Sequence, residues 1–223
     1  NPEYDESNAQ KILVDRLNVN HHSLRVKNSD ILKNFSNVVN HAETFLFRTA
    51  PVPMFLLSKF VHELGFKVIY SGEGADEILF GYDLFFENRI RNFWKKNRNS
   101  KIRPLLLKKL YNYLPQFKNS RYFEIVKDFY NLNLNNDDIF YSHLVRWQQY
   151  EHASSFFNLK DIKKEKLLKD FSVTLPGDFK NANSDKKAQY IEISTLLSNY
   201  LLSSQGDRMS MANSVEARYP YLD

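Results

Sequence analysis

At 223 residues, with 43% hydrophobic content and a formal net charge of +5, the chain is long enough to bury one ordinary core or two small lobes without covalent staples. It contains no cysteine, which excludes disulfides, cysteine metal sites and a cysteine nucleophile, and fits a reducing compartment. No apolar stretch is long enough to span a bilayer and the start carries no export signal, so a cytoplasmic protein is expected.

Along the chain, Asp5 or Ser7 can cap a helix whose apolar positions Ala9, Ile12, Leu13 and Leu17 share one face, and His21 to Val26 reads as a short strand. Asp30 caps a second helix through Ile31, Leu32, Phe35, Val38 and Val39. After an irregular Glu43 to Val52, Pro53 opens a third helix that Gly65 closes, the usual placement of the two residues at helix ends. The apolar run Lys67 to Tyr70 follows as a buried strand. Helices alternating with strands predict an α/β fold with a parallel wound sheet over residues 1–82. Residues 83–223 then read as mainly helical, with helices over Asp83 to Lys96, Ile102 to Tyr113, Ser120 to Leu132, Asp137 to Phe156 and Ser184 to Leu202. Pro176 to Asn183 is a loop by its turn residues, and aromatics such as Trp147 and Tyr200 are expected in the core. The histidines stand without metal-ligand spacing.

Charge is unevenly spread. Between Arg89 and Lys109 lie nine basic residues and no acid, more than the whole net excess, so the remainder is net acidic. With Phe93 and Trp94 inside it, this run suits either a nucleic-acid backbone or a solvated helix face or domain contact, the last two being the commoner meaning.

The segment with the most chemical content is Ser71-Gly72-Glu73-Gly74-Ala75-Asp76-Glu77, directly after the strand. Gly72 and Gly74 allow a sharp bend and close approach to a ligand, and successive amides in such a turn can cradle a phosphate. The three carboxylates would repel that phosphate unless a divalent cation intervened, which points to phosphate with magnesium. The alternative is a strand-to-helix turn whose glycines serve geometry and whose acids cap the next helix. A second polar cluster, Gln205 to Arg218, follows the last apolar helix and gathers Asp207, Arg208, Glu216 and Arg218, as a site or as salt bridges. Since the chain starts at Asn1 without a methionine and stops at Asp223 just after a dense motif, it is expected to be a piece of a longer polypeptide.

Together the two segments resemble the asparagine synthetases. Ser71 to Glu77 with Gly81-Tyr82 is similar to that family's strand-loop motif, and Asp207 to Ala212 with Ser214 to Asp223 is similar to its second motif. The resemblance implies an ATP-pyrophosphatase (adenine nucleotide alpha hydrolase-like) fold that adenylates the side-chain carboxylate of aspartate and lets ammonia attack the acyl-adenylate. Asparagine, AMP and pyrophosphate would be the products. It assigns ATP contacts to Ser71, Gly72 and Gly74, the ammonia-guiding or proton-accepting carboxylate to Glu73, and magnesium binding to Asp76. Arg48 is implied as a substrate or pyrophosphate contact, and Glu77, Asp207, Arg208, Glu216 and Arg218 as pocket residues. Glutamate at position 73, where ring-closing β-lactam relatives carry tyrosine, favours amidation.

The family's Ser-Gly-Gly-x-Asp-Ser phosphate loop, its cysteine-dependent glutaminase domain and the lysine after its second motif do not occur in this sequence. The glutaminase domain is expected on the parent chain, a homodimer is compatible with the resemblance, and the fragment alone is expected to bind ATP poorly. The alternatives are another adenylating member of the fold acting on a different carboxylate or on transfer RNA, and a non-catalytic relative.

Overall fold

The computed structural model describes residues 5–110, 119–132, 134–135, 137–147, 154 and 163–223. They form two compact units, one from residues 1–79 and 192–223, the other from 80–191. The last thirty or so residues, which the sequence pattern groups with the helical part, therefore belong to the first unit.

In the first unit α1 spans Ser7–Leu17, α2 Asn28–Ala42 and α3 Pro51–Glu63. The Asp5 carboxylate accepts the Ser7 amide at 2.9 Å, and the Asp30 carboxylate accepts the Lys27 amide at 2.8 Å, so both acids bind orphan amides at a helix start. Pro51, two residues earlier than Pro53, opens α3. His21 to Val26 is irregular instead of a strand. Apart from half-buried Val26 these residues are exposed, and among the described residues the segment has no neighbouring strand to pair with. Helix α1 buries none of its residues, and its apolar face is open among the described residues.

The core joins α2 and α3 to a short helix, Arg208–Met211, through Val38, Ala42, Val52, Phe55 and Met209. A buried polar knot ties the same elements. The Ser58 hydroxyl lies 2.7 Å from the Met209 carbonyl, and the Asn213 amide donates to Ser58 Oγ at 2.9 Å and to the Phe55 carbonyl at 3.1 Å.

Strand β1 is Val68–Tyr70 and β2 is Glu216–Arg218, paired in parallel with Val68 opposite Glu216 and Tyr70 opposite Arg218. Among the described residues this pair is the whole sheet, so the fold is a mostly helical α/β arrangement with a small parallel sheet, and the larger wound sheet is not seen. Nor is β1 buried: Tyr70 is 73% exposed, because one neighbouring strand covers an edge but not a face. Before β2 the chain runs through a π-helix, Ile193–Asp207, which extends the helical region past Leu202. Along it the Asn199 side-chain amide donates to the Ser194 carbonyl at 3.0 Å.

In the second unit, a helix over Asp83–Lys95 packs against a 3-10 segment, Arg103–Lys109, and against helices Ser120–Asn131 and Tyr141–Trp147. The 3-10 segment, with Pro104 in its first turn, stands in place of the described part of the helix expected from Ile102 to Tyr113. Trp94, Leu107, Phe123, Val126, Tyr130 and Val145 make its main core. A further helix, Lys164–Val173, packs with Phe140, Phe179 and Ile191 and carries no strong sequence signal. Phe179, in the expected loop, is a core residue on a 3-10 turn. Residues 111–113, 148–153 and 155–156 of the expected helices lie outside the described residues.

Within the basic run, Arg91 is fully buried, which no solvated face would allow. It stands 3.8 Å from Glu87, also fully buried, and its guanidinium lies 4.2 Å from the Tyr141 ring centroid. Glu87 accepts a forked pair from Arg146 at 3.0 and 2.7 Å and the Tyr130 hydroxyl at 2.8 Å. No described helix is long and apolar enough to cross a membrane.

Candidate functional site

Parallel pairing sends the chain out of β1 and β2 at the same edge, so the glycine loop and the segment after Arg218 emerge together. The Ser71 amide donates to the Arg218 carbonyl at 2.8 Å and extends the ladder by one rung into the loop. Ser71 Oγ then accepts the Glu73 amide at 3.3 Å, and the Ala75 amide returns to the Gly72 carbonyl at 3.2 Å, which turns the chain into the helix Ala75–Leu79.

The two glycines play different parts. Gly74 has φ +91°, so the backbone demands glycine, and a Cβ there would stand 2.5 Å from Leu222 Cδ2 and push that side chain aside. A Cβ at Gly72 would meet nothing within 4 Å. Protein packing leaves that position free, and its open face is the one a ligand can approach closely.

Glu73 is half-buried, and burial, reinforced by the nearby charge of Glu77, raises its carboxyl above the ordinary value, with Arg48 pulling the other way. Asp76 is exposed at the start of the short helix, whereas Glu77 turns inward and is 1% exposed. Among the described residues, no three His, Asp or Glu side chains converge on one point as a ready-made ion cage. The open carboxylate of Asp76 beside Gly72 suits the other mode usual for magnesium, one protein carboxylate with phosphate oxygens and water.

Arg48 reaches this region from the segment before α3. Its Nη2 donates to Gln205 Oε1 at 3.3 Å, and its guanidinium lies 4.9 Å from the Tyr200 ring centroid and 5.4 Å from that of Phe47. The second motif divides. Glu216 and Arg218 sit two apart on β2, and Arg218 Nε donates to Glu216 Oε1 at 2.7 Å, so they satisfy each other on an exposed face. Asp207 accepts the Tyr219 hydroxyl at 2.7 Å instead of pairing with an arginine. Arg208 is half-buried, and its enclosed Nη1 has no hydrogen-bond partner among the described residues. Beside β2 opens a cavity of about 600 Å³ lined by Lys67, Asp207, Met211, Val215, Glu216 and Ala217.

Sequence reasoning singled out neither Tyr219 nor Leu222. Burial, with the bond to Asp207 and smaller effects of Asp207 and Glu73, holds the Tyr219 phenol well above its ordinary range, so it is a neutral donor at physiological pH. Its signal was the aromatic directly after a strand, in Arg218-Tyr219-Pro220. Tyr219 is seated on Gly206: a Cβ there would lie 2.6 Å from the Tyr219 hydroxyl and 2.9 Å from the Leu201 carbonyl oxygen. Since a backbone oxygen does not yield cheaply, Gly206→Ala is expected to destabilise the first unit by about 1–3 kcal/mol, read as a lower urea midpoint with unchanged slope.

A sequence model of the asparagine synthase family matches residues 1–223, the whole chain. The chain is 34% identical over 99 residues to a glutamine-hydrolyzing asparagine synthetase of Arabidopsis thaliana, covering 44% of this chain and 17% of the relative. A counterpart in Oryza sativa subsp. japonica is 35% identical over 101 residues with the same coverage, and one in Sandersonia aurantiaca 39% identical over 80 residues, covering 35% and 15%. The matched stretch thus spans less than a fifth of these relatives. No solved structure matches.

Proposed function

Because this chain belongs to the asparagine synthase family, we propose that it carries part of a site making asparagine from aspartate, ATP and ammonia. One observation supports this reading above the rest: a half-buried glutamate with a raised carboxyl pKa stands on a glycine loop whose open face accepts a ligand, at the carboxyl edge of a parallel strand pair.

In the proposed reaction an oxygen of the aspartate side-chain carboxylate attacks the α-phosphorus of ATP and pyrophosphate leaves. Ammonia then adds to the acyl carbon, loses a proton and expels AMP. Ser71, Gly72 and Gly74 line the nucleotide through loop backbone and hydroxyl. Glu73 receives the proton of the attacking ammonia, a task helped by a carboxyl shifted toward neutral pH. Magnesium bound at Asp76 would neutralise phosphate charge. Arg48 brings a cation toward the same glutamate, and Tyr219, its hydroxyl proton committed to Asp207, stands near it as a neutral side chain. Arg208 and Glu77 support the pocket from inside, and the Glu216–Arg218 pair stiffens the strand that leads to Tyr219. The relatives' names, glutamine-hydrolyzing, support glutamine as the source of the ammonia, through a glutaminase domain of the same enzyme.

The test is pyrophosphate release by the full-length protein with ATP, magnesium and ammonia, comparing aspartate with a panel of other carboxylic acids. Release that needs aspartate, with AMP and asparagine formed in step, is the expected result. Release driven equally well by another acid, or none with aspartate, overturns the assignment.

A further inference from the structure

The basic run is only partly consumed by internal partners. Arg89 pairs with Asp185, Arg91 stands beside Glu87 and Lys95 pairs with Asp137. Arg103 lies over the Phe93 ring, 4.3 Å from its centroid, and Lys108 over Phe123 at 4.7 Å. Arg98 and Lys101 are exposed and, among the described residues, face no carboxylate partner.

Both line a cavity of about 550 Å³ in the second unit, a size suited to a small molecule and sharing no residue with the glycine-loop site. Its floor is apolar and rigid: Trp94 and Phe123 line it and are each 4% exposed, members of the core. Glu124 also lines it but is paired with Lys127, so the rim keeps an excess of positive charge. The rim is fixed as well. Trp94 Nε1 donates to the Arg98 carbonyl at 3.1 Å, and the Asn97 and Ser100 amides close successive turns onto the Trp94 and Asn97 carbonyls. On the same wall Asn131 holds a buried Oδ1 with no donor among the described residues.

We propose that this cavity binds a small aromatic anion, an aryl phosphate or aryl carboxylate, with its ring on the Trp94–Phe123 floor and its acid on Arg98 and Lys101. A fixed apolar floor with two uncompensated cations on one adjoining turn matches a single acidic group attached to a ring. A nucleic-acid strand would need cations repeated along a track.

Trp94 sits in the floor and reports directly. In a Trp147→Phe background it is the sole tryptophan of these 223 residues, and its emission in that 223-residue chain is followed during titration with phenyl phosphate, benzoate, inorganic phosphate, benzyl alcohol and a short single-stranded RNA. Calorimetry on the unsubstituted protein repeats the measurement. Saturable binding of phenyl phosphate or benzoate at a single site, tighter than inorganic phosphate or benzyl alcohol, is expected, and the tighter of the two names the acid. The Arg98→Ala/Lys101→Ala protein, altered only at exposed rim positions, is expected to bind at least about tenfold more weakly with its circular dichroism unchanged. Absence of saturable binding overturns the proposal, as does equal affinity for inorganic phosphate or equal affinity in the double variant. Preferential, steeply salt-dependent RNA binding would overturn it too, and would mark the run as a strand-binding face.

Discussion

Glu73→Gln is expected to lower asparagine formation by about 10²–10⁴-fold while leaving aspartate-dependent exchange of pyrophosphate into ATP largely intact. The split follows from the position of the group. Activating the carboxylate involves no proton that Glu73 must take, whereas the attacking ammonia must lose one. Loss of both activities in parallel would make Glu73 a binding residue, and loss of neither would remove it from the site.

The same substitution has a stability signature of unusual sign. Burial and Glu77 raise the folded carboxyl of Glu73 above its ordinary value of 4.5, so the folded state binds the proton more tightly than the unfolded state does. That contribution to stability is fully present below the unfolded value and is lost as pH rises through the folded one. At neutral pH, without magnesium, Glu73→Gln is therefore expected to melt at the same or a higher temperature than the parent. The advantage should shrink as pH falls through the raised folded value toward 4.5, and be gone below it. A variant that is dead yet no less stable is what a strained functional carboxylate predicts.

Glu87→Gln is expected to cost the second unit about 3–5 kcal/mol, measured as the loss in its urea transition. Glu87 is the carboxylate beside fully buried Arg91, and it also holds the forked bond from Arg146 and the Tyr130 hydroxyl. The amide keeps the shape but drops the charge, leaving a guanidinium in a dry core whose Nε and Nη2 have no hydrogen-bond partner among the described residues. Arg146 is 38% exposed and can turn to water; Arg91 cannot. Replacing Glu87 and Arg91 together by leucine should recover much of the loss, since a buried ion pair offsets little more than its own desolvation. If Glu87→Gln unfolds with the parent, the buried charge is compensated elsewhere.

Much of this architecture is legible locally. The α3 helix announces itself through proline at its start and glycine after its end, and the β1 loop through an apolar run meeting Gly72 and Gly74. The strand at His21 to Val26 was misread because alternation is a local signal, while a strand exists only if another lies beside it. Arg91 was read as surface because charge suggests solvent, and its burial depends on Glu87 one helical turn away and on Tyr130 and Tyr141 from other helices. In the candidate site, the glycine loop with its three carboxylates is visible as a run of neighbours, while the roles given to Glu73 and Asp76 come from the resemblance. The seating of Leu222 on Gly74 and of Tyr219 on Gly206 depends on contacts no window of neighbours contains. A π-helix is invisible for a different reason: its composition is that of an α-helix, and only the ring size of its hydrogen bonds differs.

The β1–β2 pairing also sets an order of events during synthesis. Val68 and Glu216 are about 150 residues apart, so the ladder rung that fixes Ser71 cannot form until nearly all of this chain has left the ribosome. The second unit is one uninterrupted stretch, residues 80–191, and is complete earlier. A nascent chain halted before Glu216 would therefore carry a finished second unit and a glycine loop with Glu73 and Asp76 present but neither Tyr219 nor Leu222 in place. Assembly of the glycine-loop region waits for the second strand, and the emergence of Leu222 behind it is its timer.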